Sequence, residues 1–175
     1  MALLVAGLLE NVYASLDAYL TASLVDENAV PMTIRLHGVR RFVPPIDDPW
    51  IEAHYDFLGM QSFFRRSTGI QSGMIVHSED RHGYLQLNIY QRARSFTTRY
   101  TTAHARDLVM SAFPDGHLIP IRDYVHMVPD VVPDEVGLLV IDGTTERVVD
   151  IGQRSGVTQH VIQCDTRYLE PYTRP

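Results

Sequence analysis

The chain has 175 residues, 45% of them apolar and 21% charged, with a net charge of −6. All fifteen basic residues are Arg, which excludes lysine Schiff-base chemistry and a P-loop lysine, and the acidic balance disfavours a protein that grips phosphate non-specifically. A chain of this length and composition is expected to form one domain over 1–175 with a core that needs no metal or disulfide staple.

The opening run Met1–Leu9 lacks a basic n-region and soon meets Glu10 and Asp17, so it reads as neither a signal peptide nor a membrane span, and folding in a reducing cytoplasm is expected. Val5, Leu8, Leu9, Val12, Leu16, Tyr19, Leu20 and Leu24 recur at helical spacing, with Glu10, Asn11, Asp17 and Thr21 between them. That period predicts an amphipathic helix over 3–24. Residues 32–43 predict a short strand that frays at Gly38, and Pro44, Pro45 and Pro49 then enforce an open connection. From Trp50 to Leu58 the pattern alternates: Ile51, Ala53, Tyr55 and Phe57 point one way, Glu52, His54 and Asp56 the other. Residues 59–73 form a long excursion carrying Phe63, Phe64, Arg65 and Arg66, of a length that is usually functional.

Met74–His77 and Gly83–Gln91 predict two further strands. A second helix is expected over 96–113, capped by Ser95 or Thr97 and stopped by Pro114-Asp115-Gly116, with small residues along its middle. His117–Ile121 reads as a strand, and from 123 on the pattern reads as all β. There Val136–Ile141 turns at Asp142-Gly143 into Arg147–Ile151, and Val157–Tyr168 closes the chain. The predicted organisation is a helix over 3–24, a core sheet and helix over 32–123, and a C-terminal β segment over 124–175. The expected class is α+β: a mainly antiparallel sheet with two helices packed on one face, plus an extended loop or hairpin.

Chemistry is sparse in this sequence. Eight His residues are present, but there is no His-Glu-x-x-His or Cys-x-x-Cys spacing, no Gly-x-Ser-x-Gly elbow and no Gly-x-Gly-x-x-Gly turn. No catalytic residue, metal site or cofactor is expected. Cys164, the only cysteine, sits in an alternating run and reads as a buried strand thiol. Between Tyr90 and Tyr100, Arg92, Arg94 and Arg99 interleave with aromatics. Such a stretch suits base stacking, yet a sequence pI of about 5.7 points instead to a strand–helix connection facing solvent or a neighbouring subunit. Residues 1–60 carry a net −5, 61–122 a net +4 and 123–175 a net −5. These blocks either scatter over the folded surface or pair between copies of the chain.

The span from Trp50 to Asp123 carries a resemblance. It runs from the alternating strand Trp50–Phe57 through the Arg65-Arg66-Ser-Thr-Gly69 loop and the strand Gly83–Tyr90 to a small-residue helix closing in Ala105–Phe113. Preceded by an N-terminal helix, this order resembles the tail terminator proteins of long-tailed, non-contractile bacteriophages. The chain departs from their pattern in having Gln91–Ser95 where relatives carry a glycine loop, and in a longer segment beyond Asp123. The resemblance implies a non-enzymatic virion protein of the tail or neck, assembled in the host cytoplasm. It implies a ring of six copies that caps the tail tube, stops its polymerisation and meets the head-completion or stopper protein, while DNA passes through without specific binding. Phe63, Phe64, Arg65, Arg66, Arg92, Arg94 and Arg99 are then the expected subunit contact. The alternatives are a head–tail adaptor or stopper, a small enzyme, or a nucleic-acid or host-factor binding module.

Overall fold

A computed structural model of the chain describes residues 8–25, 29–46, 48–56, 67–71, 74–92, 102–150 and 157–173. The elements are α1 (Leu8–Ser23), β1 (Thr33–Arg35), β2 (Trp50–Asp56), β3 (Ser67–Gln71), β4 (Met74–Arg92), α2 (Thr102–Ala112), β5 (Leu118–Arg122), β6 (Glu135–Asp150) and β7 (Val157–Thr173). The strands form one sheet in the order β1-β2-β4-β7-β6-β5, with β3 paired to β4 beside this path. Every pairing is antiparallel except β1 on β2. The α+β class and the antiparallel preference read from the sequence hold.

Strand registry explains the core. Ile51, Ala53 and Tyr55 of β2 stand opposite Ile89, Leu87 and Leu85 of β4, and Leu87 and Leu85 stand opposite Ile162 and Cys164 of β7. Because side chains alternate across a strand, all of these share one face. They form one buried cluster with Val12, Leu16 and Leu20 of α1 and Leu24 just beyond it, with Ala105 and Val109 of α2 and with Phe113 just beyond that helix. The helical period at positions 12, 16, 20 and 24 is thus the core stripe expected. On the other face, amides link the strands. Asn88 Oδ1 accepts from Gln86 Nε2 at 2.9 Å and from Gln159 Nε2 at 3.1 Å, while Trp50 stacks on Tyr90.

Several sequence expectations are corrected. The two strands foreseen at 74–77 and 83–91 are one strand, because the backbone ladder to β7 runs unbroken from Val76↔Thr173 to Arg92↔Val157 through a polar stretch with no alternation to announce it. Part of the excursion at 59–73 is β3, whose Gln71 pairs with Met74 to make a hairpin with β4. The expected strand at 32–43 shrinks to Thr33–Arg35, ahead of a turn at Gly38, which sits at φ +80 where an L side chain is strained. Asp142-Gly143 is no turn. It is a bulge inside β6, where the pairing slips between Ile141 and Gly143 and the strand continues to Asp150. Residues 123–134 are not β but a turn-rich connection, in which Pro129 and Pro133 remove two backbone donors.

The second helix is described over Thr102–Ala112, and residues 96–101 of the expected helix, with the proposed caps Ser95 and Thr97, lie outside the described residues. Its first described amide, Thr102 N, donates to Gln91 Oε1 at 3.0 Å, so an acceptor eleven residues away in sequence serves that end.

Candidate assembly interface

The first helix meets the sheet on three sides, and the helical period explains how. Successive residues turn by about 100°, so the series 11, 15, 19 and the pair 13, 17 lie on nearly opposite flanks, with the core series 12, 16, 20 between them. On one flank, Tyr55 of β2 donates its hydroxyl to Asp17 Oδ1 at 2.7 Å. His37 stacks on the Tyr55 ring at 5.2 Å, and Tyr13 lies 5.0 Å from His37 and 5.6 Å from Tyr55. The backbone N–H of Tyr55 donates to His37 Nδ1 at 3.2 Å, which leaves the neutral ring's proton on Nε2. Burial, with the Asp17 charge and hydrogen bond behind it, pushes the Tyr55 phenol well above its ordinary range. Burial also raises the Asp17 carboxyl, although the Tyr55 hydrogen bond and His37 pull it back. Tyr55 is only 4% exposed, and the cluster ties β2 to α1.

On the opposite flank, Ser15 Oγ accepts from Arg122 N of β5 at 2.9 Å. The fully buried Asn11 donates from Nδ2 to Asp123 Oδ1 at 3.1 Å and accepts from Val125 N at 3.0 Å. Asn11 falls between the apolar positions in the sequence, where a solvent-facing residue is expected, yet it is the anchor of the 123–126 turn. Tyr19 donates to Ala112 O at 2.6 Å, so its hydroxyl oxygen accepts from His117 Nε2 at 2.7 Å. Strands from the two ends of the sheet order therefore clamp the same helix.

These clamps position two exposed segments. Among the described residues, the exposed large apolar side chains are Val30, Val39, Val43 and Ile46 around β1 and its connection to β2, and Leu118, Val125, Met127, Val128, Val131 and Val132 on β5 and the connection that follows it. Val43 is 89% and Val132 71% exposed. The segments differ in charge. Over residues 39–46 the first carries the exposed Arg40 and Arg41, ahead of the exposed Asp48, and the second carries the exposed Asp130, Asp134 and Glu135. Among the described residues Arg40, Arg41, Asp130, Asp134 and Glu135 make no ion pair or side-chain hydrogen bond. Elsewhere charges are paired: Arg106 of α2 binds Glu146 of β6 through Nε at 3.0 Å and Nη2 at 2.8 Å, and this Arg holds the Glu146 carboxyl below its ordinary value.

The β5 edge is built to refuse an added strand. Ile141 N donates to His117 O, so positions 117, 119 and 121 turn their hydrogen-bonding groups towards β6, and Pro120 turns its donorless nitrogen to the outer edge.

Of the sequence-predicted contact residues, Phe63, Phe64, Arg65, Arg66, Arg94 and Arg99 lie outside the described residues. Arg92 ends β4, paired with Val157 and exposed. The sequence pattern does not mark the segments at 39–46 and 125–132 as exposed apolar connections, although Pro129 and Pro133 inside a Val-rich run signal that it is not a strand. Among the described residues no group of three or more His, Cys, Asp or Glu is placed to hold a metal, and no helix is long and apolar enough to cross a membrane. The chain matches no protein-family model, and no curated protein is significantly similar to it.

Proposed function

We propose that this chain is a structural ring subunit of a long-tailed phage virion, a tail terminator. In that role it caps the tail tube, arrests tube growth and offers its other face to a head-completion or stopper protein. The observation that carries the reading is the division of exposed apolar surface into two unlike segments, one basic and one acidic, at opposite ends of the strand order. A closed ring is built from a heterologous contact in which two different patches of the same chain meet, and such a pair of patches is what that contact requires.

Three further features support the reading. Tyr19 of α1 reaches Ala112 O, and Val12, Leu16 and Val109 share a cluster with the same-face residues Leu85, Leu87 and Ile162, which fits two helices covering one face of the sheet and leaving its ends for neighbours. Tyr55 is buried and His117 is hydrogen-bonded to Tyr19, so both side chains serve the fold. A net charge of −6 repels DNA passing through such a ring instead of holding it. A head–tail adaptor or stopper would use the same ring contact but meet a different neighbour.

The test is arrest of tube growth. Added to polymerising tail-tube protein of the same phage, the purified chain should shorten the tubes seen by electron microscopy and be found at one end. Tubes of unaltered length with no bound chain would refute the terminator role. Binding to the head-side connector without any effect on tubes would favour the adaptor or stopper.

A further inference from the structure

We infer that the ring is closed by one specific contact: the basic segment 39–46 of each copy docks on the acidic connection 123–134 of the next. This rests on the ring reading and names the surfaces that make it. The occupant of each segment is a second copy of this chain, and charge selects it. Arg40 and Arg41 are exposed without a carboxylate partner among the described residues, and Asp130, Asp134 and Glu135 are exposed without a cationic one.

Geometry agrees with charge. The basic segment lies within the connection from β1 to β2, ahead of the exposed Asp48, on the Tyr13 and Asp17 flank of α1, through His37. The acidic connection follows β5 on the Asn11 and Ser15 flank. Those flanks are about 200° apart around the helix, so the two segments look to different sides, as a head-to-tail contact demands. Each charge pair has apolar residues beside it: Val43 and Ile46 with the arginines, Val128 and Val132 with the carboxylates. Apolar contact then supplies area, and the charges supply register and reject the like-with-like pairing of two basic or two acidic segments. Pro120 disfavours strand addition at the β5 edge.

Reciprocal charge exchange tests it. One variant carries Arg40→Glu with Arg41→Glu, the other Asp134→Arg with Glu135→Arg. All four positions are exposed, and Asp130 is left alone because its φ of +63 suits Asp better than Arg. Light scattering of the full chain should show each variant alone weakened in self-association by about tenfold or more, since like charges then face each other. An equimolar mixture should recover assemblies of wild-type mass, because every contact in an alternating ring is complementary again. Circular dichroism melts of both variants should match the wild type. Assembly by either variant at wild-type strength would overturn the contact while leaving the ring reading intact, and so would a mixture that stays dissociated. Loss of tube or connector binding with unchanged self-assembly would likewise overturn it, giving the surface to another protein. A wild-type chain that never self-assembles would overturn both the contact and the ring.

Discussion

The Tyr55 hydroxyl lies 2.7 Å from Asp17 Oδ1, and this single hydrogen bond ties the second strand to one flank of the first helix. Tyr55→Phe removes the donor and leaves a half-buried carboxylate without it. The expected loss is about 1–3 kcal/mol of unfolding free energy, measured by urea denaturation. A loss of a few tenths would mean that the ring packing against His37 and Tyr13, not the hydroxyl, holds the joint.

The same carboxylate gives a pH signature. Burial raises Asp17 in the folded chain above its ordinary value, so its contribution to stability is present in acid and is lost as the pH climbs from about 4 through that raised value. Glu146, lowered chiefly by Arg106, runs the other way, its contribution being present above about pH 4 and lost below it. Asp123 behaves like Glu146: burial works against it, but hydrogen bonds from His126 and Asn11 hold it low. Asp17→Asn keeps an acceptor for Tyr55 and removes the titration. Its stability relative to wild type should therefore improve between about pH 3 and pH 7. Urea midpoints that differ from wild type by the same amount at both pH values would contradict this.

Gly137 lies under the ring of Tyr168, where an added Cβ would sit 2.7 Å from both Cε2 and Cζ and closer still to the hydroxyl oxygen. Tyr168 is only 1% exposed and donates to Val136 O at 3.3 Å, so it has little room to retreat. Gly137→Ala should cost about 1–3 kcal/mol. Tyr168→Leu in the same chain should return part of that cost, and a double-mutant cycle reads the coupling. Additive losses would show that the ring and the glycine do not interact.

Asn11 supports the acidic connection from beneath. Asn11→Ala leaves Val125 N without its acceptor and Asp123 without one donor, at an expected cost of about 1–3 kcal/mol. Self-association should fall further than that loss of stability accounts for, because the 123–134 surface is no longer held in place. Equal falls in stability and assembly would detach the turn from the contact.

Cys164 is fully buried on the core face of β7, and burial pushes its thiol up to about 11. Native protein should react with a thiol reagent at neutral pH many times more slowly than denatured protein. Rapid native labelling would place the last strand elsewhere.

The fold was legible wherever a period repeats. Val12, Leu16, Leu20 and Leu24 announce the helix stripe, and Ile51, Ala53 and Tyr55 the half-buried strand, because burial on one side imposes those spacings. It was illegible where backbone pairing needs no side-chain pattern. The polar stretch ahead of Gly83 joins β4 through its ladder to β7, and Asp142-Gly143 resembles a hairpin turn although a bulge costs the ladder only one residue. The candidate interface was hidden for a related reason. Val128, Val131 and Val132 are the residue types of a strand, and only the pairing of β5 with β6 reveals that they lie between strands, exposed. Asn11 could not be identified as buried without Asp123, which is 112 residues away.

The most direct measurement is the mass of the full chain in solution, by size-exclusion chromatography with light scattering across a concentration series, alone and with tail-tube protein. A ring subunit should give a closed assembly of about six times the 19.9 kDa chain, with no open-ended growth as concentration rises. A monomer at every concentration, unchanged by tail-tube protein, would contradict the ring.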